Sequence, residues 1–248
     1  AGMVCYFLAF LAKEYAVTLM ILMPLAFYLF NRYSVSKSVM ASMPFIAVMV
    51  VYIIIRLQIV APMNDASDND VLNNPYALVA NNAEKLATKI ATTLNYIKLL
   101  VLPHPLSSDY SYNTIPYKDF SNPLVWLTLI VHGAMIWGMF RCFKMFNKYK
   151  SGKPVKDYED PAEGYGILCF AAAIYIFNLL IVCNIIFNIG GTMGERLIFH
   201  SSVGFCIALA YFLYKGMERI QPVATGKLAI GGLMLLLIVL CGFKTIER

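Results

Sequence analysis

Long apolar runs, interrupted by short charged or proline-rich segments, set the pattern of this chain. Met3–Ala12 and Tyr15–Phe30 are separated only by Lys13-Glu14. One helix through both would be ~40 Å long at ~1.5 Å per residue, more than a bilayer crossing needs. The charged pair therefore marks a turn at one membrane face. Val39–Ile55, Pro123–Phe140, Ile167–Ile189, Leu197–Tyr214 and Leu228–Cys241 are further apolar runs that read as crossings, which gives six or seven membrane segments.

Two polar interruptions stand out. Ala61 to about Asn122 is too long for an ordinary connection, which marks it as a functional element. Within it Leu86, Ile90, Leu94, Ile97 and Val101 follow helical spacing, while Glu84, Lys85, Thr88, Lys89, Thr92 and Asn95 take the other faces. This predicts an amphipathic helix lying on the membrane surface or on the bundle. The second interruption, 141–163, carries Arg141, Lys144, Lys148, Lys150, Lys153 and Lys156 and reads as a basic loop.

Composition agrees: 60% of the residues are hydrophobic, above the roughly 45–50% of soluble domains. The expected fold is an all-α integral membrane protein, a polytopic helix bundle with one large polar loop. The chain opens at Ala1 inside an apolar run, which reads as an internal fragment of a longer protein. Six cysteines without CxxC spacing read as buried thiols, with neither disulfides nor a zinc site.

The formal net charge is +6, but the basic residues are scattered among loops, which argues against a nucleic-acid partner. They set orientation instead. Asn31–Ser38, Arg141–Glu163 and Lys215–Lys227 together hold eleven of the twenty Lys/Arg and five of the fourteen Asp/Glu. The positive-inside rule makes that side cytoplasmic. Lys13-Glu14, the 61–122 loop and Gly194-Glu195-Arg196 then share the extracytoplasmic face.

Three polar clusters meet there: Lys13/Glu14, His104/Asp109/Tyr110/Tyr112, and Glu195/Arg196/His200. Ionisable groups at a membrane boundary are costly unless paired or used. Pro103, Pro105 and Pro116 fix backbone angles and remove donors, so the stretch PHPLSSDYSYNTIP reads as a shaped loop. The glycines of GGTMGER permit a tight return and close approach. Arg196 suits a phosphate, and His200, four residues on, shares its helix face. Each feature also has a plainer reading. Lys13-Glu14 can simply cap helix ends, Glu195–Arg196 can be a structural pair, Asp109 can fix its loop, and the tyrosines can form an interfacial belt. His132 reads as a core residue, and Asp65, Asp68 and Asp70 as solvated loop rather than a calcium site.

LAKEYAVTL, NPYALVANNAEKLATKIATTLNYIKLLVLPHPLSSDYSYNTIP and MGERLIFHSSVGFC together resemble bacterial relatives of the transmembrane and tetratricopeptide-repeat O-mannosyltransferases, of the GT-C glycosyltransferase superfamily. The similarity runs from about Leu11 to Cys206 and is carried by the second and third motifs. It implies an enzyme of the bacterial inner membrane that moves a sugar from a polyprenyl-phosphate donor to a protein hydroxyl at the extracytoplasmic face. No cofactor is expected, and metal dependence is left open. Arg196, with Lys13, would bind the donor phosphate, and Glu14 and Glu195 would orient those cations. His104, Asp109, Tyr110 and Tyr112 would shape the sugar or acceptor pocket. The resemblance places the catalytic carboxylate upstream of Ala1 and tetratricopeptide repeats beyond Arg248. The chain departs from the family at Ile198-Phe199-His200, so His200 inherits no role. The competing expectation is a transporter or lipid flippase, which predicts mid-bilayer charges, broken helices and an internal repeat.

Overall fold

The computed structural model describes residues 1–60, 76, 78–79, 81–102, 104–107, 110, 114–150, 160–186, 191–220 and 223–246. Among them all regular structure is helical: α1 (Gly2–Ala12), α2 (Leu19–Leu29), α3 (Val35–Val60), α4 (Asn82–Val101), α5 (Pro123–Tyr149), α6 (Pro161–Val182), α7 (Phe199–Arg219) and α8 (Val223–Ile246). Short 3-10 turns at Glu14–Thr18 and Glu195–Ile198 lead into α2 and α7. Five helical stretches are long and apolar enough to cross a membrane, and Gly2–Ala12 and Glu14–Leu29 are shorter apolar helices. The chain is an all-α polytopic membrane protein.

Side-chain and backbone chemistry explains where the helices begin. Asn81, Asn122 and Asp160 each accept a hydrogen bond from the backbone N–H two residues on, at 2.9, 3.0 and 2.9 Å. This satisfies one donor that the first helical turn leaves open. Pro123 and Pro161 follow two of these caps, where a missing N–H costs nothing. Between α1 and α2 the break is Lys13, whose backbone is extended at φ −162° and ψ 136°.

The chain forms two compact units, Ala1–Phe205 and Cys206–Arg248. In the first, α6 is the axis: half of its most apolar window is buried, against 17% for α3 and 11% for α5. It packs on α2 and α5, while α1 and α2 pack on α3. Leu29, Phe146, Ala162 and Cys169 form one core where α2, α5 and α6 meet, and Tyr6, Phe10, Ala16 and Met49 form another between α1 and α3. In the second unit, Gly226 lies against Met217 and Ile220 where the chain turns from α7 into α8.

The structure changes several boundaries. The basic segment expected to be a loop from Arg141 to Glu163 is helical up to Tyr149, because Phe146 is buried against α2 and α6 and holds that turn in place. It is helical again from Pro161, where Asp160 caps α6. Cys5, Cys206 and Cys241, expected to be buried, are exposed on helix faces, whereas Cys169 and Cys183 are buried and Cys142 is half-buried. Asp65, Asp68, Asp70, Lys153 and Lys156 lie outside the described residues.

The amphipathic helix is present as α4, with an unexpected face inward. Ala87, Thr88, Ala91, Thr92, Thr93 and Tyr96 are its buried residues, while Leu86 is 41% and Val101 68% exposed. Small side chains permit close approach to α5 around Val125. The threonines carry their own satisfaction: the Thr88 hydroxyl donates to Glu84 O at 2.9 Å and Thr92 to Thr88 O at 2.8 Å. Of the apolar stripe, Ile90 and Ile97 pack partly against the protein, and Leu86 and Val101 at its ends stay exposed.

Two sets of contacts mark opposite ends of the first unit. At one end Arg32 pairs with Asp160, and Lys150 donates to Tyr33 O at 2.9 Å. The other end, a helix length away along α3, gathers the clusters singled out from sequence.

Candidate functional site

The site is built around two turns, each a break in helical backbone. After Lys13 leaves helical geometry, the 3-10 turn buries Tyr15, Ala16 and Thr18. The Tyr6 hydroxyl donates to Ala16 O at 3.1 Å, and Thr18 Oγ1 lies 2.9 Å from Tyr15 O and 3.2 Å from Asn178 Oδ1. Ala16 is thereby tied to α1 and Thr18 to α6. The second turn is held by Tyr96 of α4, which is fully buried and accepts a hydrogen bond from Gly194 N at 3.3 Å. Burial holds the Tyr96 phenol above its ordinary range, so it stays protonated.

Gly194 itself has extended backbone, φ −155°, which any residue adopts. Its glycine matters for space: an added Cβ would come within 3.1 Å of Leu197 Cδ1. An added Cβ at Gly191 meets nothing within 4 Å. Close approach, expected for the GGTMGER glycines together, is therefore seen at Gly194 and not at Gly191, and Gly190 lies outside the described residues.

The two turns meet through a ring stack. Tyr15 and His200 lie with centroids 4.5 Å apart and planes 14° from parallel. Lys13 Nζ stands 5.9 Å from the Tyr15 ring centroid. The Lys13 charge is felt at the His200 ring, and the Arg196 charge at the Tyr15 hydroxyl. Beneath the stack, Tyr15, Tyr96, Ile115, Tyr175, Leu179 and Ile198 form a common core.

The third cluster joins through Glu195. Its Oε1 accepts from Ser107 N at 2.6 Å and from the Tyr110 hydroxyl at 2.9 Å. Glu195 thus anchors the proline-rich stretch, in which the His104–Pro105 bond is cis, to the start of the α7 segment. Asp109 and Tyr112 lie outside the described residues. Glu195→Ala removes both bonds, each worth about 1.5–3 kcal/mol for a charged acceptor. Amide exchange at Ser107 should then speed up by roughly tenfold or more on the same scale, read by hydrogen–deuterium exchange.

Two expected roles move. Glu14, expected to orient Lys13 or Arg196, instead binds Arg56 at 2.5 Å, with Arg56 Nη1 also 3.3 Å from the Tyr52 hydroxyl. Glu195, expected to orient a cation, holds the loop through Ser107 and Tyr110. Arg56, near the end of α3, was missed because nothing in the local sequence links it to Glu14, 42 residues away. Their side chains are 38% and 58% exposed, so Arg56→Gln should change stability by less than about 1 kcal/mol. A thermal melt tests this.

Lys13 and Arg196 are both exposed, and neither has an ion-pair partner among the described residues. Lys13 borders a cavity of about 520 Å³ between α1, α2, α6 and α7, and Arg196 lies outside its lining, near enough to Tyr15 of the wall for its charge to act there. Lys13, Tyr15, Thr18, Asn178 and His200 supply its polar wall, and Leu22, Met23, Phe170 and Val203 are among its apolar residues. His200 Nδ1 is buried without a hydrogen-bond partner. The groove fits a ligand with a long apolar part and an anionic head. Among the described residues no group of three or more His, Cys, Asp or Glu is placed to hold a metal ion. His132, expected in the core, is half-buried, and its Nδ1 lies 3.0 Å from Thr128 O.

Fold and site together define a polytopic α-helical membrane protein with a cationic, apolar-floored groove at one end of its first unit. Comparison with protein-family models, curated proteins and solved structures returns no match.

Proposed function

We propose that this chain is the membrane part of a glycosyltransferase that moves a sugar from a polyprenyl-phosphate donor to a protein hydroxyl. The observation that carries the reading is the groove. Its apolar walls suit a polyprenyl chain, and Lys13 in its lining, with Arg196 close to Tyr15 of the wall, suits the phosphate that such a lipid bears; neither cation has a carboxylate partner among the described residues. The motif resemblance in the loop and at the start of the α7 segment supports the same chemistry.

In this reading the acceptor oxygen bonds to the anomeric carbon as the bond from that carbon to the phosphate oxygen breaks, with inversion. The leaving phosphate gains negative charge, and Arg196, aided by Lys13, stabilises it. Glu195 holds Ser107 and Tyr110, and with them His104, as the wall of the sugar or acceptor pocket. The base that takes the acceptor proton is assigned to no residue of this chain.

The test is reconstitution in vesicles with polyprenyl-phosphate mannose and a serine- and threonine-bearing peptide, repeated with other sugars. Labelled peptide should form with one polyprenyl phosphate released per sugar. Movement of the lipid-linked sugar across the bilayer without peptide labelling would replace the enzyme with a transporter.

A further inference from the structure

The helical extension of α5 beyond Phe140 carries a feature that the transferase reading does not use. α5 has 27 residues, so it is ~40 Å long at ~1.5 Å per residue, while a bilayer core is ~30 Å thick. Counted from Pro123, about 20 residues use up that thickness near Cys142. The rest of the helix projects into the headgroup layer.

On that projection Arg141, Lys144 and Lys148 are all exposed. At 3.6 residues per turn they fall within one sector of about 60°. The same sector holds Ile130 and Trp137, which are 67% and 66% exposed on the lipid-facing part of the helix. One continuous stripe therefore changes from apolar to basic along its length. Arg141 lies 5.6 Å from the Trp137 ring centroid, which seats the indole directly below the first cation. None of the three cations has an ion-pair partner among the described residues.

We infer that this stripe binds the headgroups of acidic phospholipids in the leaflet that it meets. An exposed cationic row directly above a lipid-facing indole and an isoleucine places acyl chain and anionic head in register on one helix face. A soluble acidic protein would have no use for the apolar half of the stripe. The inference depends on the membrane fold alone and stands whether or not the groove transfers sugar.

The test uses the chain's two tryptophans, Trp126 and Trp137. With Trp126→Phe, Trp137 reports alone from beside Arg141. The protein is reconstituted with either brominated phosphatidylglycerol or brominated phosphatidylcholine at equal mole fraction. Quenching should show a relative affinity for the acidic lipid about fivefold higher, a modest share of what three surface cations can supply. Replacing the stripe by Arg141→Gln, Lys144→Gln and Lys148→Gln should bring the two lipids to parity. Equal quenching in the protein with its stripe intact, or a preference unchanged by the triple replacement, would overturn the inference. Should Trp126→Phe fail to fold, the two-tryptophan protein compared with its triple variant gives the same reading by difference.

Discussion

Arg196→Ala should lower sugar transfer by about 100-fold or more, the usual consequence of removing one group that stabilises charge developing in a transition state. The fold should survive. Arg196 is exposed at the entry to α7 and has no ion-pair partner among the described residues, so its loss strands no buried carboxylate. A thermal melt within a few degrees of the unaltered protein, beside the fall in transfer, separates the chemistry from folding. Arg196→Lys should recover part of the activity, because a point charge still attracts phosphate but loses the two-pronged geometry of the guanidinium. Normal transfer by Arg196→Ala would remove the phosphate role from this residue.

Gly204→Ala should cause the largest loss of stability. α7 crosses α6 so closely here that a methyl group would fall on the Ala171 carbonyl oxygen and 2.7 Å from Tyr175 N. Both obstacles are backbone, so no rotamer change relieves them and the helices must move apart. Overpacking of this kind costs about 1–3 kcal/mol or more, and the better helix propensity of alanine offsets roughly 1 kcal/mol of it. The separation would also disturb Ser201 and the neighbouring His200, and with them the groove wall. The expected result is a clearly lowered unfolding temperature together with lost transfer, in contrast to Arg196→Ala. A melt unchanged by Gly204→Ala would mean that the α6–α7 crossing is looser than described.

The start of α5 was legible because Asn122-Pro123 combines a capping side chain with a proline at the first helical position. The same signal, Asp160-Pro161, was available for α6, but the charges around it suggested a loop. Likewise Arg141 looked like a helix end, although Phe143 and Phe146 continue the helical spacing and Phe146 is buried. Charge marks where a helix leaves the membrane, not where it stops being a helix. For α4 the period was right and the face was not, since hydrophobicity does not reveal that alanine and threonine allow closer packing than leucine does.

At the site, charge counting placed Lys13, Glu195 and the proline-rich stretch on one face, and contacts do bring described members of all three clusters together. What spacing could not supply was the pairing. Glu14 chose Arg56 and Glu195 chose Ser107 and Tyr110, partners fixed by how distant segments pack. The groove was equally hidden, because its walls come from four helices that are apolar for the sake of the bilayer as much as for a ligand.

In the proposed transferase the groove holds a polyprenyl-phosphate sugar, with its phosphate at Lys13 and Arg196. Photo-crosslinking tests it most directly, using a donor whose polyprenyl chain carries a photoreactive group. Adducts are expected on Leu22, Met23 or Phe170, abolished by excess polyprenyl phosphate, spared by unphosphorylated polyprenol, and much reduced in the Lys13→Ala, Arg196→Ala double variant. Adducts confined to other surfaces, or competition by polyprenol as strong as by its phosphate, would contradict it.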